Sequence, residues 1–456
     1  MKYEALVDLA VSISKLRPPC TVSILAGGIT NQLYRVQEVS SDTCAHPLDE
    51  GNIEKEPSVP VPKEGKSVVV RVFGRGTEEF ISRSRELHYQ SKFLTTHGGT
   101  DHVLLYEFLD GYVALDHSDM KRAIPESAVA LAKFHMRATV STTCDAKLDP
   151  AFLRDSKLDP VFLRDPVHAR ACLVEWLSLL LRADPYQRLR SDEKREELKA
   201  MRFVEDIAQE TSWLLQQLDK HEPKFLQVVC HNDLLAGNIM VGRETIGGKT
   251  RDVRFIDFEY CRRNYVYFDM ANHFNEFAGL GCDYETYFPS DEDIKRFLNM
   301  YTTTLFQLPT TTQEEKRSTS TTDGAPESDE IHFSKKGSLL EETNSPTNEQ
   351  DTFLKLLVGD KLLVGLEETN SPTNEQDTFL KLLVGDVAWS SFAIETLTNM
   401  ELSLRYIKFF SLVSHAIWTI WSLLQEFSSE VDFDYLQYAA LRWRRYCGTK
   451  AEFALR

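Results

Sequence analysis

The stretch from Val228 to Gly279 constrains this chain more than any other. It reads VVCHNDLLAGNIMV, a polar turn, then VRFIDFEYCRRNYVYFDMANHFNEFAG. Val228 and Val229 lead into a turn carrying His231, Asp233 and Asn238. A short apolar run, Ile239 to Val241, is followed by a turn around Gly247-Gly248. A second apolar run from Val253 to Ile256 delivers Asp257. Two short β-type runs joined by a polar, Gly-rich turn predict a hairpin. Asp233 and Asn238 fall where the chain enters it and Asp257 where it leaves, so the three can converge.

That convergence suits phosphoryl transfer, a reaction that needs a positioned hydroxyl and cations beside a polyphosphate rather than covalent help. A carboxylate can accept the hydroxyl proton while an Asn and an Asp hold Mg2+ through oxygens. The pattern H-x-D-x-x-x-x-N (His231, Asp233, Asn238) followed by I-D-F-E resembles the catalytic and metal-binding loops of kinase-like small-molecule kinases. The longer D-F-E-Y-x-x-x-N-Y-x-x-F-D-x-x-N-H-F-N-E is narrower, and is similar to the choline/ethanolamine kinase family. The resemblance implies an α+β, two-lobed protein-kinase-like fold: a small N-lobe with an antiparallel sheet and a larger, mostly helical C-lobe.

Bulk properties set the frame for this reading. The 456 residues are 42% apolar and 27% charged, the profile of a globular protein with a large core. A formal net charge of −17 argues against nucleic acid as a partner. The eight cysteines lack paired short spacings, which argues against zinc and a disulfide framework and for a reducing compartment. Cys230, beside His231, reads as a small buried residue rather than a nucleophile. The first segment, YEALVDLAVSISKL, reads as an amphipathic helix rather than a signal peptide. The apolar run Phe409 to Leu424 is short and interrupted by His415, so no membrane-spanning segment is expected and the expected location is cytoplasmic.

Along the chain, GGITNQLY follows the first helix, and its glycines let backbone N–H groups approach a phosphate. This loop resembles the nucleotide loop of ethanolamine kinases, which would assign ATP contacts to Gly27, Gly28, Thr30 and Asn31. Residues 38–66, rich in Pro, Glu and Ser, are expected to form a mobile loop. SVVVRVFG predicts a buried strand whose Arg71 needs a partner. The following segment has helical spacing at Phe80, Ile81, Leu87, Phe93 and Leu94, with Glu86 as its best-placed acid. Kinase-like folds pair a strand cation with a helix Glu to hold phosphates, which assigns Arg71 and Glu86 to the ATP site. HVLLYEFLDGYVAL predicts a strand running into a hinge near Leu109 to Gly111, dividing an N-lobe (1–110) from a C-lobe (111–456). His135, on a helix that starts at Pro125, is read as packed or solvated rather than as a ligand.

KLDPAFLRD (147–155) recurs as KLDPVFLRD (157–165), and LEETNSPTNEQDTFLKLLVGD stands identically at 340–360 and 366–386. Two copies do not build a solenoid. Together with the Thr/Ser/Glu-rich stretch before it, 307–386 is expected to be a disordered insertion without a chemical role.

Near the other end, SHAIWTIWSLLQ sets Trp418 and Trp421 three residues apart on one helix face, which by periodicity alone reads as core. The family resemblance instead places Trp418, Trp421 and Tyr438 in an aromatic box that attracts an ammonium group, with Glu276 supplying a full negative charge and Tyr260 a further wall. The features GITNQL, FGRGTEEFISRSRE, HNDLL and NHFNEFAG lean towards ethanolamine kinase. The expected reaction is ATP-dependent phosphorylation of ethanolamine, feeding phosphatidylethanolamine synthesis. Asp233 would serve as base and acceptor contact, with Asn238 and Asp257 on Mg2+. Choline kinase, a dual enzyme and a non-catalytic scaffold are the competing readings. Arg262 and Arg263 depart from the family pattern, and could add phosphate contacts or repel a cationic acceptor. The expected partners are the amino alcohol and ATP, with a second copy of the chain as an optional one.

Overall fold

The computed structural model describes residues 3–25, 31–39, 65–74, 81–100, 102–139, 161, 164–183, 192–193, 196, 199, 203–246, 250–306, 391–429 and 431–454. Gly27, Gly28, Thr30, both repeats at 340–386, most of 38–66 and most of the 147–165 duplication lie outside them.

Five antiparallel strands form the first sheet, in the order β1-β2-β3-β5-β4. They are β1 (Cys20–Leu25), β2 (Asn31–Glu38), β3 (Ser67–Phe73), β4 (Thr96–Thr100) and β5 (Val103–Glu107). The alternation of side chains along a strand decides what each face of β3 meets. Val68 and Val70 pack with Leu6, Ala10 and Leu16 of the N-terminal segment, whose helix α1 spans Tyr3–Ser14. Val69 and Arg71 face the other way, towards helix α2 (Arg83–Gln90) and the main core. The helix is shorter than its apolar spacing suggests, and its register differs. Leu87 is 43% exposed while Glu86 is fully buried, because the ion pair with Arg71 turns the acidic face of α2 inwards.

The chain changes sheets at Gly111, which has φ +80°, a conformation that glycine adopts without strain. Strand β6 (Tyr112–Ala114) pairs with β8 (Ile239–Ile246), not with the first sheet, and β8 pairs with β9 (Thr250–Phe255). The expected hairpin is therefore present, longer than its apolar runs. A separate two-stranded ladder joins β7 (Gln227–Cys230) to β10 (Arg262–Tyr265).

Helices close around these ribbons. α3 (Ile124–Thr139) packs on β7 and β9. α4 (His168–Ala171) runs through a π-helical turn (Cys172–Trp176) into α5 (Leu177–Arg182), and α6 (Phe203–His221) follows. α7 (Val266–Asn275), α8 (Tyr284–Tyr287), α9 (Asp291–Phe306), α10 (Ser391–Thr398), α11 (Met400–Ser428) and α12 (Tyr435–Ala454) complete the larger part. α11 starts at Asn399, whose side chain accepts the Leu402 N–H, a common helix cap. Its 29 residues make it the one described helix long and apolar enough to cross a membrane. It is instead packed against α7, α9 and α12, with Phe410, Leu412, Val413 and Ile420 fully buried. Burying a side chain such as Phe410 contributes roughly 1.5–3 kcal/mol.

Candidate active site

The site is built around the turn after β7. His231 and Asn232 both donate their backbone N–H to the carboxylate of Asp269 on α7, each at 2.8 Å. Asn232 adopts φ +67°, a left-handed conformation that Asn tolerates better than most residues. Its amide holds it there, donating to the carbonyl of Tyr260 (2.9 Å) and accepting from Asn264 (2.7 Å). Asp269 also takes a hydrogen bond from His135 Nε2 at 2.9 Å, and His135 Nδ1 lies 2.8 Å from the Tyr301 hydroxyl. His135 is thus packed, as expected, though Cys230 and Asp269 do come close to it. Burial would raise the pKa of Asp269, but His135 and the backbone donor of His231 pull it below the usual carboxylate value.

With the turn pinned, Asp233 stands half-buried at the wall of a cavity of about 490 Å3. Asn238 donates Nδ2 to the Asp233 carbonyl (2.8 Å) and carboxylate (3.3 Å). The donor end being engaged there, the carbonyl end of that amide is the one left for a ligand. Asp257, at φ +66°, lines the same cavity, and Ile256 N–H donates to the Asn238 carbonyl at 3.1 Å. Asp233, Asn238 and Asp257 are therefore brought together from the two ends of the hairpin. Burial and the neighbouring Asp257, Glu276 and Glu259 raise the Asp233 pKa well above its ordinary value. An all-oxygen donor set amid surplus negative charge fits a hard divalent cation such as Mg2+.

Arg71 is buried behind this edge of the cavity, 2.9 Å from both Glu86 and Asp257 and 2.5 Å from Glu259. Burial would lower its pKa, but these three acids hold it well above the ordinary arginine value. The guanidinium is a junction between α2 and the residues around Asp257, and its pairing with Glu86 is the one the sequence leads us to expect. Asn31 joins the same junction, donating to Glu259 at 3.1 Å.

The opposite wall is aromatic. Trp418 and Trp421, one turn apart on α11, have ring centroids 5.3 Å apart at 77°. Tyr260 sits edge-on to Trp418 at 5.6 Å, and its hydroxyl accepts from Trp421 Nε1 at 3.0 Å. Tyr438 of α12 and Phe433 complete the lining. Glu276 lines the cavity as well, with its charge shared with a cation. Arg442 of α12, itself buried, meets its Oε1 at 2.9 Å. Arg262 and Arg263 are absent from the cavity lining. Arg263 instead donates to Gln227 at 2.7 Å, and both sit on β10, which pairs with β7.

Sequence reasoning missed Asn232, Glu259, Asp269, Asn272 and Arg442. Asp269 and Asn272 lay in plain view in F-D-x-x-N, one turn apart on a short helix after the metal-side loop. That spacing was the available signal. Arg442, one turn beyond Tyr438 in a Trp/Arg-rich helix, gave none.

With this geometry in hand, relatives are informative. The sequence is 24% identical over 441 residues to a probable ethanolamine kinase A of Dictyostelium discoideum, covering 95% of this chain and 86% of that protein. It is 31% identical over 291 residues to a probable ethanolamine kinase of Arabidopsis thaliana, covering 62% of each. Among solved structures, a Plasmodium vivax ethanolamine kinase superposes with a TM-score of 0.57 at 20% identity, covering 98% of this chain and 89% of that one. A choline kinase from Cryptosporidium parvum gives 0.53 at 16% identity, covering 99% and 96%. These two share the fold. The family model described as choline/ethanolamine kinase matches residues 22–447, nearly the whole sequence, and the chain belongs to that family.

Proposed function

We propose that this protein transfers the terminal phosphoryl group of ATP to the hydroxyl of ethanolamine, giving phosphoethanolamine. One observation carries the reading: an acid, an amide and a second acid share a single cavity with a wall of two tryptophans and two tyrosines. The first set suits a hydroxyl and a polyphosphate, the second a small organic cation. The names of the Dictyostelium and Arabidopsis relatives point the same way.

In this mechanism the aromatic faces and Glu276 hold the ammonium end, which directs the hydroxyl of so short a molecule towards Asp233. The Asp233 carboxylate accepts the hydroxyl proton as the oxygen attacks. Its raised pKa is suited to the order of events. A cation held by Asn238 and Asp257 and an incoming ammonium would both offset the acids around Asp233 and favour its ionised form. Asn238 and Asp257 would hold Mg2+, which when bound offsets the charge of the polyphosphate. Arg71 steadies Asp257 from behind.

A primary ammonium donates hydrogen bonds, whereas a quaternary one answers only to charge and aromatic faces. Competition between ethanolamine and choline in a coupled assay with Mg-ATP therefore tests the proposal. Ethanolamine should have the larger kcat/KM. A preference for choline would replace the substrate, and retained ATP binding without turnover of any amino alcohol would favour a non-catalytic scaffold.

A further inference from the structure

A single buried carboxamide links the two halves of the site. Asn272, on the inner face of α7, is fully buried. Its Oδ1 accepts from Trp418 Nε1 at 2.7 Å and from Ser414 Oγ at 2.8 Å. Its Nδ2 donates to the backbone carbonyl of Asn232 at 3.2 Å, one residue before Asp233. Ser414 Oγ in turn accepts from Arg442 Nη2 at 3.1 Å, and Arg442 holds Glu276. The ring that faces the cavity, the acid beside it and the turn that carries Asp233 are thus all referred to one side chain.

We infer that Asn272 is a positioning residue that sets the acceptor wall at a fixed distance from the carboxylate of Asp233. The inference rests on the reading of that wall as the ammonium site and Asp233 as the base. Two properties suit Asn to the position. Its oxygen takes two donors at once, and its amide group supplies the donor that the Asn232 carbonyl requires. Burial matters too, because with no water to substitute, losing any of these bonds leaves a neighbour unsatisfied. The chemistry is sensitive to such a shift, since displacing reacting groups by about 1 Å can lower the rate by about 10²-fold. Arg71, Glu86 and Asn31, which we assign to the nucleotide, meet in a separate cluster around Glu259, so ATP binding should be indifferent to Asn272.

The test uses the full-length chain with Mg-ATP and ethanolamine, comparing Asn272→Ala, Trp418→Phe and the double variant. Asn272→Ala should lower kcat by roughly ten- to a hundredfold and raise the ethanolamine KM, with the KM for ATP within about twofold of the parent. Trp418→Phe keeps an aromatic face and loses the N–H, so its loss in kcat/KM should not multiply with that of Asn272→Ala. Losses that multiply fully would overturn the proposal. So would an equal rise in the KM for ATP, or a fall in thermal stability with unchanged kinetic constants. Should Asn272→Ala fail to fold, Asn272→Asp keeps the oxygen for Trp418 and Ser414 and replaces the donor to Asn232 with a carboxylate oxygen that repels its carbonyl. It should lower kcat about tenfold with little change in the ethanolamine KM, and the reverse pattern would overturn the link. A parent protein inactive on every amino alcohol would remove the functional reading itself, and this inference with it.

Discussion

At the scale of single residues, Asp233 and His273 make distinct predictions. Asp233→Asn removes the proton acceptor while keeping its shape, so kcat should fall by roughly 10²- to 10⁴-fold. ATP affinity, read by equilibrium titration, should be retained. His273 is buried on α7, with Nδ1 3.1 Å from the Leu234 carbonyl, and burial pushes its pKa down to about 4. In the unfolded chain the same imidazole takes up its proton near pH 6.5. Between these values the unfolded state binds more protons, so stability falls as pH drops from about 6.5 towards 4. His273→Gln should flatten that part of a plot of Tm against pH, even if it lowers Tm overall. An unchanged slope would show that His273 does not contribute.

At the scale of elements, the cation of β3 and the acid of α2 form part of an unbalanced cluster. Arg71 faces Glu86, Asp257 and Glu259 together. Glu86→Gln leaves Arg71 paired with the other two acids. Its cost in stability should therefore stay well under the roughly 3–5 kcal/mol of an ordinary broken buried pair. Arg71 would then lean on Asp257, and the Mg2+ concentration needed for half-maximal activity should rise. A large loss of Tm with an unchanged Mg2+ requirement would contradict this. These elements also show what the sequence could convey. The β8–β9 hairpin and α3 were legible because local signals, apolar runs and a Gly-rich turn or a leading Pro, agree with the tertiary result. The inward face of α2 was not, because Leu87 points outwards while Glu86 is drawn in by a strand elsewhere in the chain. Asp233, Asn238 and Asp257 could be grouped from their spacing. The compensation of Glu276 could not, since Arg442 reaches it from a separate helix. The ties of Asp269 to the His231 turn, likewise, exist only after folding.

At the scale of the molecule, Glu259 gathers polar ties from the first sheet and α2 to the larger part, accepting from Asn31, Arg71 and Arg83. Glu259→Ala should loosen that junction. Hydrogen exchange in β3 and α2 should quicken while exchange in α11 stays slow, and the KM for ATP should rise. Equal acceleration in α11 would point to global destabilisation. The same long helix has a bearing on how the protein is made. α11 is apolar enough, taken alone, to be mistaken for a membrane segment by sorting machinery, or to aggregate. Two of its partners, α7 and α9, precede it in the chain and are synthesised first, while α12 follows it. Domains that assemble during translation form from the N-terminal side, so a receiving groove can be ready when α11 leaves the ribosome. Order of synthesis, rather than polarity, would then keep this helix out of the bilayer.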